Sequence, residues 1–480
     1  MNGKFLVTTP IYYINDKPSV GSAYTTIIAD ILARWNRLKE IDTFFLTGLD
    51  ENSSKTVKAA KEKKYKDIQD YADDMYKEWV KVWKKLNISY DGFIRTTSEK
   101  HKKIVQDFFN KAYKKGDIYL GEYEGLYCGG CEEFKRETDL EGGLCPYHKT
   151  KPLKIKERNY FFKLSKYEED ILKLVKKNEK FVLPKSRRTE IINFIESGLT
   201  DISVSRPNLK WGIDVPFDKN QKVWVWYDAL YNYKSGVDKK YWKGRVVHLV
   251  GKDIQKFHCI IWPAMLLSAS ESLPTTIFSH GFFTINGEKM SKSLGNAIDP
   301  VYISEKYGVD ALRYFLIKEI SFGEDGDFSE EDLKKRLNNE LANDLGNLVS
   351  RVLTLVEKNK VKLEGKKELE KKLDLKKIEK LMDEYKLTEA LKEIWKFVIE
   401  CNKYVNDKKP WELKGKELEN VLYNLVESLR IIAILLSPFI PETCDRINKQ
   451  LGVKAGKLKD CKFGKFKGKI KKGEVLFRKI

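Results

Sequence analysis

Four residues of metal-binding type stand in two closely spaced pairs in the middle of the chain. Cys128 and Cys131 are separated by two residues, and Cys145 and His148 repeat that spacing. A tight turn directs both side chains of such a pair inward, so two pairs can enclose one tetrahedral ion. Four protein ligands leave no position open for a substrate, so the pattern predicts a structural Zn²⁺ site. The alternative is an incidental grouping of ligand-type residues.

A second chemical signal is the string at residues 287–296, which runs Gly-Glu-Lys-Met-Ser-Lys-Ser-Leu-Gly-Asn. Lys289 and Lys292 alternate with hydroxyl groups between two glycines. Ammonium groups on such a loop can close over a triphosphate and neutralise the charge that develops as pyrophosphate departs. A solvated Lys/Ser turn is the alternative, but the length of the string favours a phosphate-binding loop.

The elements that must position these groups begin with a short apolar strand at residues 4–9. An amphipathic helix follows, with apolar residues near a 3.6-residue period: Ala23, Ile27, Ile31 and Trp35. A second strand is predicted at 43–46. Strand, helix and strand in this order indicate a parallel α/β unit, in which functional residues lie beyond the carboxyl ends of the strands. Residues 12–22 and 49–54 should therefore share one rim of the sheet.

Further along the chain the pattern changes twice. Glycine turns, short strands and the Cys/His pairs indicate an insertion, and strands are predicted again at 223–226 and 246–250. From about residue 330 the pattern is helical, with one apolar stripe formed by Leu341, Leu345, Leu348 and Val352. We therefore predict a split, doubly wound parallel (Rossmann-like) α/β sheet with a zinc-bearing insertion and a C-terminal all-α bundle. The predicted boundaries are 1–115 and 223–330 for the two halves of the sheet domain, 116–222 for the insertion and 331–480 for the bundle.

Composition restricts the class of protein. The chain has 480 residues, 42% of them hydrophobic and 33% charged, which is typical of several folded domains. Lysine and arginine exceed the acidic residues by 90 to 70, a net charge of +20 that favours a polyanionic partner such as RNA. A lysine-biased composition without that partner is the alternative. Seven cysteines without an export signal, and no apolar run long enough to span a bilayer, predict reduced thiols and a cytoplasmic location.

The lysine string resembles the second signature of class I aminoacyl-tRNA synthetases, and the surrounding sequence resembles the methionyl-tRNA synthetase family. The resemblance extends over nearly the whole chain through the segments 8–13, 108–121, 223–228, 248–254, 257–258, 262–263, 280–281 and 299–300. It implies ATP-dependent adenylation of L-methionine, with Mg²⁺ accompanying ATP, and transfer of the methionyl group to methionine tRNA. It also implies a role for the zinc cluster as the family's metal knuckle. A monomer is the expected state.

The resemblance further implies a methionine pocket formed by Ile11, Tyr13, Asp50, Trp226, Tyr233, Phe257, His258 and Trp262. These residue types suit the ligand, because aromatic rings make favourable contacts with a thioether and a carboxylate suits an ammonium group. For any one of these rings, the alternative is that it belongs to the ordinary aromatic core and contacts no ligand. Asn347, Arg351 and Trp411 match the family's anticodon-reading residues, and an amide, a guanidinium and an indole can bond to or stack on unstacked bases.

The chain departs from the family at its first signature, a His-hydrophobic-Gly-His pattern that is represented here by Ser19, Val20, Gly21 and Ser22. Gly21 remains and allows a nucleotide to approach the backbone closely, so it is assigned with Lys289 and Lys292 to ATP binding. Ser19 and Ser22 occupy the catalytic positions. Asn52 also stands where the family has histidine. These changes keep a second hypothesis open, in which the chain is a catalytically impaired or inactivated descendant that binds methionine or tRNA.

Overall fold

The computed structural model of the chain describes residues 3–207, 209–285, 288–289, 297–321, 323–360 and 362–480, with residues 123, 288 and 289 described as backbone only. The strands are β1 Lys4–Thr8, β2 Tyr12–Tyr13, β3 Asp42–Asp50, β4 Gly92–Arg95, β5 Ile118–Cys128, β6 Glu133–Lys135, β7 Leu153–Phe162, β8 Val182–Leu183, β9 Ile202–Ser203, β10 Ser205–Pro207, β11 Asp214–Val215, β12 Asp218–Val223, β13 Arg245–Gly251, β14 Thr276–His280, β15 Phe283–Ile285, β16 Glu288–Lys289 and β17 Gly326–Asp327.

The helices are α1 Val20–Leu38, α2 Ser54–Glu62, α3 Ile68–Lys85, α4 Glu99–Lys114, α5 Glu168–Lys177, α6 Lys185–Glu196, α7 Val225–Leu230, α8 Asn232–Ser235, α9 Trp262–Ser268, α10 Pro300–Tyr307, α11 Val309–Lys318, α12 Glu330–Arg336, α13 Asn347–Asn359, α14 Leu375–Asp383, α15 Leu387–Lys408, α16 Gly415–Leu436 and α17 Pro441–Leu451. Two π-helical segments, Phe257–Ile261 and Leu337–Gly346, lead into α9 and α13. Among the described residues, no helix combines the length and apolarity that crossing a membrane requires.

The central sheet is parallel, in the order β2-β3-β1-β13-β14-β8, with β4 also paired to β3. Val7 of β1 faces Phe45 of β3 on one side and Val247 of β13 on the other. The chain leaves β1 toward β3 and returns to β13 only after the insertion, so the strand order reverses at β1. Such a reversal opens a crevice beyond the carboxyl ends of the two central strands. The predicted split, doubly wound sheet is confirmed.

The insertion is built around the long antiparallel pair β5 and β7, to which β6 and β9 add. One predicted strand is wrong: β12 ends at Val223, and Trp226 lies on the short helix α7. The run from Val223 to Trp226 is apolar, β-branched and aromatic, and burial on both sides gives a short helix the same local signal as a strand. The exact domain boundaries remain predictions.

Between residues 330 and 451 the described chain is mostly helical, as expected. The four residues of the predicted stripe, Leu341, Leu345, Leu348 and Val352, are all buried. Arg313 ties this bundle to the sheet domain, because its buried guanidinium donates to the Asp30 carboxylate of α1 at 2.6 Å and to the carbonyl of Pro438 at 2.9 Å. The helices of the bundle are therefore fixed relative to α1, whose amino end borders the crevice.

Candidate active site and RNA-binding face

A cavity of about 310 Å³ lies in the crevice beyond β1 and β13. Its walls come from the loops after both strands, from the first turn of α1 and from α7 and α8. The predicted site residues that line it are Ile11, Tyr13, Ser19, Gly21, Ser22, Asp50, Trp226, Tyr233 and His258. Sequence reasoning missed other lining residues, among them Thr25 and Asp253.

Asp50 is the carboxyl-terminal residue of β3, and its carboxylate is buried at the cavity wall. Burial, followed by the nearby carboxylates of Asp228 and Glu132, raises the pKa of Asp50 well above its usual range. The backbone N–H of Asn52 donates to its Oδ1 at 3.3 Å. A cationic ligand entering the cavity would relieve this accumulation of negative charge, which makes Asp50 suited to an ammonium group.

A buried polar network stands behind Asp50. The Asn52 side chain donates to Asp228 Oδ2 at 2.8 Å, and His101 Nε2 lies 2.5 Å from Asp228 Oδ1. The other imidazole nitrogen of His101 lies 2.6 Å from the hydroxyl of Ser235. Asp228 is on α7, so this network fixes the helix that carries Trp226. No local sequence pattern revealed it, because its members come from three segments that are distant in sequence, around residues 52, 101 and 228–235.

The apolar wall of the cavity is aromatic. The rings of Trp226 and Phe257 stack with centroids 3.8 Å apart, and the Tyr233 hydroxyl lies 2.7 Å from His258 Nε2. The Ile254 carbonyl accepts from His258 Nδ1 at 3.0 Å, so Nε2 is the acceptor for Tyr233. Burial lowers the pKa of His258 to about 4, so the imidazole is neutral near pH 7. Trp262 and Phe257 do not line the cavity and lie behind its wall.

The amino end of α1 forms another side of the cavity, lined by Ser19, Gly21 and Ser22. Ser22 Oγ accepts from the Ser19 backbone N–H at 2.9 Å and donates to the Ser19 carbonyl at 2.8 Å. The Ser22 hydroxyl is therefore engaged in capping its own helix. Among the residues that the structure describes, a Cβ added to Gly21 would meet Ser19 Oγ alone within 4 Å outside its own helix backbone, at 3.7 Å, so Gly21 leaves the helix start open to the cavity.

One neutral imidazole does reach this side of the cavity. His280, at the end of β14, donates from Nδ1 to the Gly281 carbonyl at 2.7 Å, which leaves Nε2 to accept from Thr25 Oγ1 at 2.8 Å. Burial lowers the pKa of His280. Thr25 stands one turn after Ser22, a spacing that could have pointed to it. The Lys289 side chain and Lys292 lie outside the described residues, and only the backbone pairing of β16 with β15 is seen there.

The four predicted metal ligands converge. One ligand atom from each of Cys128, Cys131, Cys145 and His148 lies within 4.8 Å of all the others. Cys131 Sγ is 3.5 Å from Cys145 Sγ and 3.4 Å from His148 Nδ1. A Cβ at Gly130 would lie 2.4 Å from the His148 ring, so only glycine lets the two turns approach this closely. Three sulfurs and one imidazole nitrogen can therefore hold a metal ion.

The residues beside this cluster touch the cavity wall. The Trp226 indole donates to the Cys131 carbonyl at 3.2 Å, and the Trp224 indole donates to the Glu132 carbonyl at 2.6 Å. Glu132 Oε1 accepts from the Ser54 backbone N–H at 2.8 Å at the start of α2. The metal-binding turn thus contacts both the aromatic wall and the segment that follows Asp50.

The three predicted RNA-contacting residues lie on the helical bundle. Arg351 on α13 donates to Asn402 Oδ1 at 2.7 Å and to Asn406 Oδ1 at 3.3 Å. Both partners are neutral amides, so the guanidinium charge is positioned without being neutralised. Trp411, in the turn after α15, is 56% exposed, which is unusual for an indole and leaves its face open to stacking.

Comparison with known proteins defines the class first. The family model described as "tRNA synthetases class I (M)" matches residues 5–152 and 137–353, and the "Anticodon-binding domain of tRNA ligase" matches 366–468. The chain is therefore a class I aminoacyl-tRNA synthetase with an anticodon-binding domain.

Individual relatives narrow the class. The methionine–tRNA ligase of Caldanaerobacter subterraneus subsp. tengcongensis is 45% identical over 100% of this chain and 79% of its own length. That of Thermotoga maritima is 43% identical over 99% of this chain and 80% of its own. The structure of Mycobacterium tuberculosis methionyl-tRNA synthetase in complex with methionyl-adenylate matches with a TM-score of 0.94, 35% identity and 99% coverage of both chains. The chain belongs to the methionyl-tRNA synthetase family, and ligation of methionine to tRNA is its function. The comparisons lend no support to an inactivated descendant.

Proposed function

We propose that the cavity binds L-methionine and ATP together and activates the amino acid as its adenylate. The observation that carries this proposal is the buried Asp50 carboxylate in a cavity whose other walls are aromatic rings and the amino end of α1. A carboxylate suits the ammonium group, the rings suit the thioether, and helix N–H groups suit phosphate.

The proposed methionine contacts are Ile11, Tyr13, Asp50, Trp226, Tyr233, Phe257, His258 and Trp262. Within this set, Phe257 and Trp262 contribute indirectly. They do not line the cavity, but their rings pack against Trp226 and Tyr233 and support them. The neutral His258 imidazole and the Tyr233 hydroxyl are bonded to each other, so neither is left as an unpaired polar group beside an apolar side chain.

In the proposed reaction, a carboxylate oxygen of methionine attacks the α-phosphorus of ATP, and the bond to the departing pyrophosphate breaks. A ribose hydroxyl of the tRNA then attacks the methionyl carbonyl and releases AMP. No protein nucleophile is required, so the chain contributes positioning and electrostatic stabilisation. The groups assigned to the phosphates are Gly21, Ser19 and Ser22 at the start of α1, together with Lys289 and Lys292. Mg²⁺ bound with ATP would supply further neutralisation of phosphate charge.

We assign Zn²⁺ to the cluster of three cysteines and one histidine, because soft thiolates in a closed four-ligand set are typical of structural zinc. Its proposed role is to hold the turn that supports Trp226. Asn347, Arg351 and Trp411 are proposed to contact the anticodon of methionine tRNA. A monomeric state and a cytoplasmic location, where ATP and tRNA are available, complete the proposal.

Methionine-dependent exchange of pyrophosphate into ATP by the purified chain tests the activation step directly. We expect exchange with methionine and none with leucine. If the chain binds methionine and ATP but catalyses no exchange, the non-catalytic hypothesis replaces this one. Aminoacylation of methionine tRNA tests the second step separately.

A further inference from the structure

The carboxyl-terminal segment carries almost half of the excess positive charge of the chain. Residues 454–480 contain eleven lysines and arginines but two acidic residues, which gives +9 out of the total of +20. Its centre, residues 462–472, has six lysines and no acidic residue, and we name it the basic ribbon. The six are Lys462, Lys465, Lys467, Lys469, Lys471 and Lys472. Such a density of one charge along an extended segment favours a polyanionic partner.

The ribbon presents its lysines outward and its apolar residues inward. All six lysines are exposed, whereas Phe463 is 2% exposed and Phe466 and Ile470 are half-buried against the bundle. The segment contains neither α-helix nor strand, so the alternation of lysine with apolar residues is what orients it. The apolar side chains anchor the ribbon and leave the ammonium groups in solvent.

Hydrogen bonds from α16 fix the backbone at the start of the ribbon. The Arg430 guanidinium donates to the Lys462 carbonyl at 2.7 Å, and the Glu427 carboxylate accepts from the Phe466 N–H at 2.7 Å. Arg430 and Glu427 are themselves paired and buried, at 2.7 Å between Nη2 and Oε2. The two side chains that hold the ribbon therefore hold each other in place.

The end of α17 fixes the other half of the ribbon. The Gln450 carbonyl accepts from the Lys471 N–H at 2.8 Å, and the Gln450 side-chain oxygen accepts from the Gly473 N–H at 2.8 Å. A glycine makes this close approach possible, because a Cβ added to Gly468 would lie 2.1 Å from the Leu451 carbonyl oxygen. The ribbon is therefore a fitted part of the bundle surface, and its lysines start from fixed backbone positions.

Five of these lysines carry unneutralised charge. Within the part of the chain that the structure describes, Lys462, Lys465, Lys467, Lys469 and Lys471 form no ion pair. Nearby Lys459, in contrast, lies 2.8 Å from the Glu40 carboxylate. Unpaired exposed charges in a row add their potentials, and an anionic polymer gains by releasing its counterions when it binds them.

The ribbon ends on α13, the helix that carries Asn347 and Arg351. The Lys472 ammonium donates to Thr354 Oγ1 at 2.7 Å, and the Lys472 N–H donates to Glu357 at 2.6 Å. Thr354 follows Arg351 by three residues, about 4.5 Å along the axis of α13 at about 1.5 Å per residue. The end of the basic ribbon therefore adjoins α13 about one turn from Arg351.

We propose that the basic ribbon binds the sugar–phosphate backbone of tRNA beside the anticodon loop. This inference rests on the proposed anticodon contacts and deepens them. Phosphate contacts hold an RNA in register without reading its sequence, so the ribbon supplies affinity while Arg351 and Trp411 supply selectivity. An anionic membrane suits the ribbon less, because its apolar side chains face the bundle and none projects outward for insertion.

The test replaces four ribbon lysines by glutamine and compares this variant with one of equal charge loss elsewhere. The ribbon variant is Lys465→Gln, Lys467→Gln, Lys469→Gln and Lys471→Gln. The control variant changes exposed lysines of α4 and α5, namely Lys100→Gln, Lys103→Gln, Lys173→Gln and Lys177→Gln. Binding to methionine tRNA is measured by fluorescence anisotropy at several salt concentrations. Pyrophosphate exchange without tRNA serves as the check that both variants are folded.

We expect the ribbon variant to lose about 10- to 100-fold in tRNA affinity at about 100 mM salt. The slope of log affinity against log salt concentration should decrease in magnitude by about 3, since each of the four phosphate contacts contributes about 0.7–0.9. The control should keep the affinity of the parent within about twofold, as expected of lysines without phosphate contacts. A tRNA with an altered anticodon should show the same ribbon-dependent loss. Parental affinity and slope in the ribbon variant would overturn the proposal.

Two further outcomes are informative. Loss of binding to phosphatidylserine vesicles with unchanged tRNA affinity would also overturn the proposal, because the ribbon would then be a membrane surface. Arg351→Ala, measured in the same assay, distinguishes failure of the ribbon proposal from failure of the proposed anticodon contacts. If Arg351→Ala weakens tRNA binding and the ribbon variant does not, the ribbon proposal alone fails. If neither variant weakens it, the proposed anticodon contacts fail as well.

Discussion

Replacing Asp50 by asparagine removes the charge on which methionine recognition is proposed to depend while keeping nearly the same shape. A hydrogen bond between charged groups contributes about 1.5–3 kcal/mol, and each ~1.4 kcal/mol is tenfold in affinity, so Asp50→Asn should weaken methionine binding by about 10- to 100-fold. ATP binding should be unchanged, because the described groups assigned to the phosphates, Ser19, Gly21 and Ser22, belong to the start of α1 and Asp50 to the end of β3.

The same residue predicts a pH dependence of methionine binding. Burial and the carboxylates of Asp228 and Glu132 raise the pKa of Asp50 in the free protein. The ammonium group favours the ionised carboxylate and therefore lowers that pKa in the complex. Between the two pKa values, binding releases a proton, so methionine affinity should rise as pH rises and reach a plateau above the pKa of the free protein.

Calorimetric titration of methionine into the protein from about pH 5 to about pH 8, in buffers of different ionisation enthalpy, measures both the affinity and the protons released. Asp310→Asn is the matched control. Burial likewise raises the pKa of Asp310, to about 6, but this residue lies at the junction of α11 and α17. If the parent and Asp50→Asn bound methionine with equal affinity, or released equal numbers of protons on binding it, the assignment of Asp50 to the methionine ammonium group would be refuted.

Three other outcomes are expected. Chelation of the metal should release one Zn²⁺, measured by elemental analysis. It should also weaken methionine binding and change the Trp fluorescence, because the metal-binding turn supports Trp226. Protein purified without chelator that contains no zinc would contradict this prediction. Arg351→Ala and Trp411→Ala should each weaken binding to methionine tRNA by about 1–3 kcal/mol and leave methionine affinity unchanged; equal tRNA affinity at matched salt would show that this face does not contact the anticodon. The triple change Ser19→His, Ser22→His and Asn52→His should raise exchange activity at least about 100-fold, the effect of one donor to a developing anion, with little change in methionine affinity. A parent that exchanges as fast as the triple variant would show that these histidines are not needed here.

Several features of the fold were predictable because their signals are local. The spacing of Cys128, Cys131, Cys145 and His148 predicted a four-ligand cluster, and the side chains do converge. The 3.6-residue periods of α1 and of the C-terminal bundle predicted helices, since an amphipathic helix records its buried face in its own sequence. Strand Lys4–Thr8 was expected almost to the residue. The family strings predicted the function that the relatives confirm.

Other features depended on contacts between distant segments. Trp226 was expected on a strand and lies on α7, because complete burial removes the alternation that distinguishes a strand from a short helix. The raised pKa of Asp50 depends first on burial and then on the carboxylates of Asp228 and Glu132, which are distant in sequence and approach only in the folded chain.

The sequence by itself thus determined which residue types are present for metal, amino acid and phosphate, and which local elements carry them. The tertiary structure decided which of them share a cavity, which stand behind its wall, and which hydroxyls are already engaged, as Ser22 is with the backbone of Ser19. It also decided that Lys472, at the end of the basic ribbon, bonds to Thr354 on the helix that carries Arg351. The physical reason is that periodicity and spacing act within a few residues, whereas burial, desolvation and charge proximity are set by the packing of segments far apart in the chain.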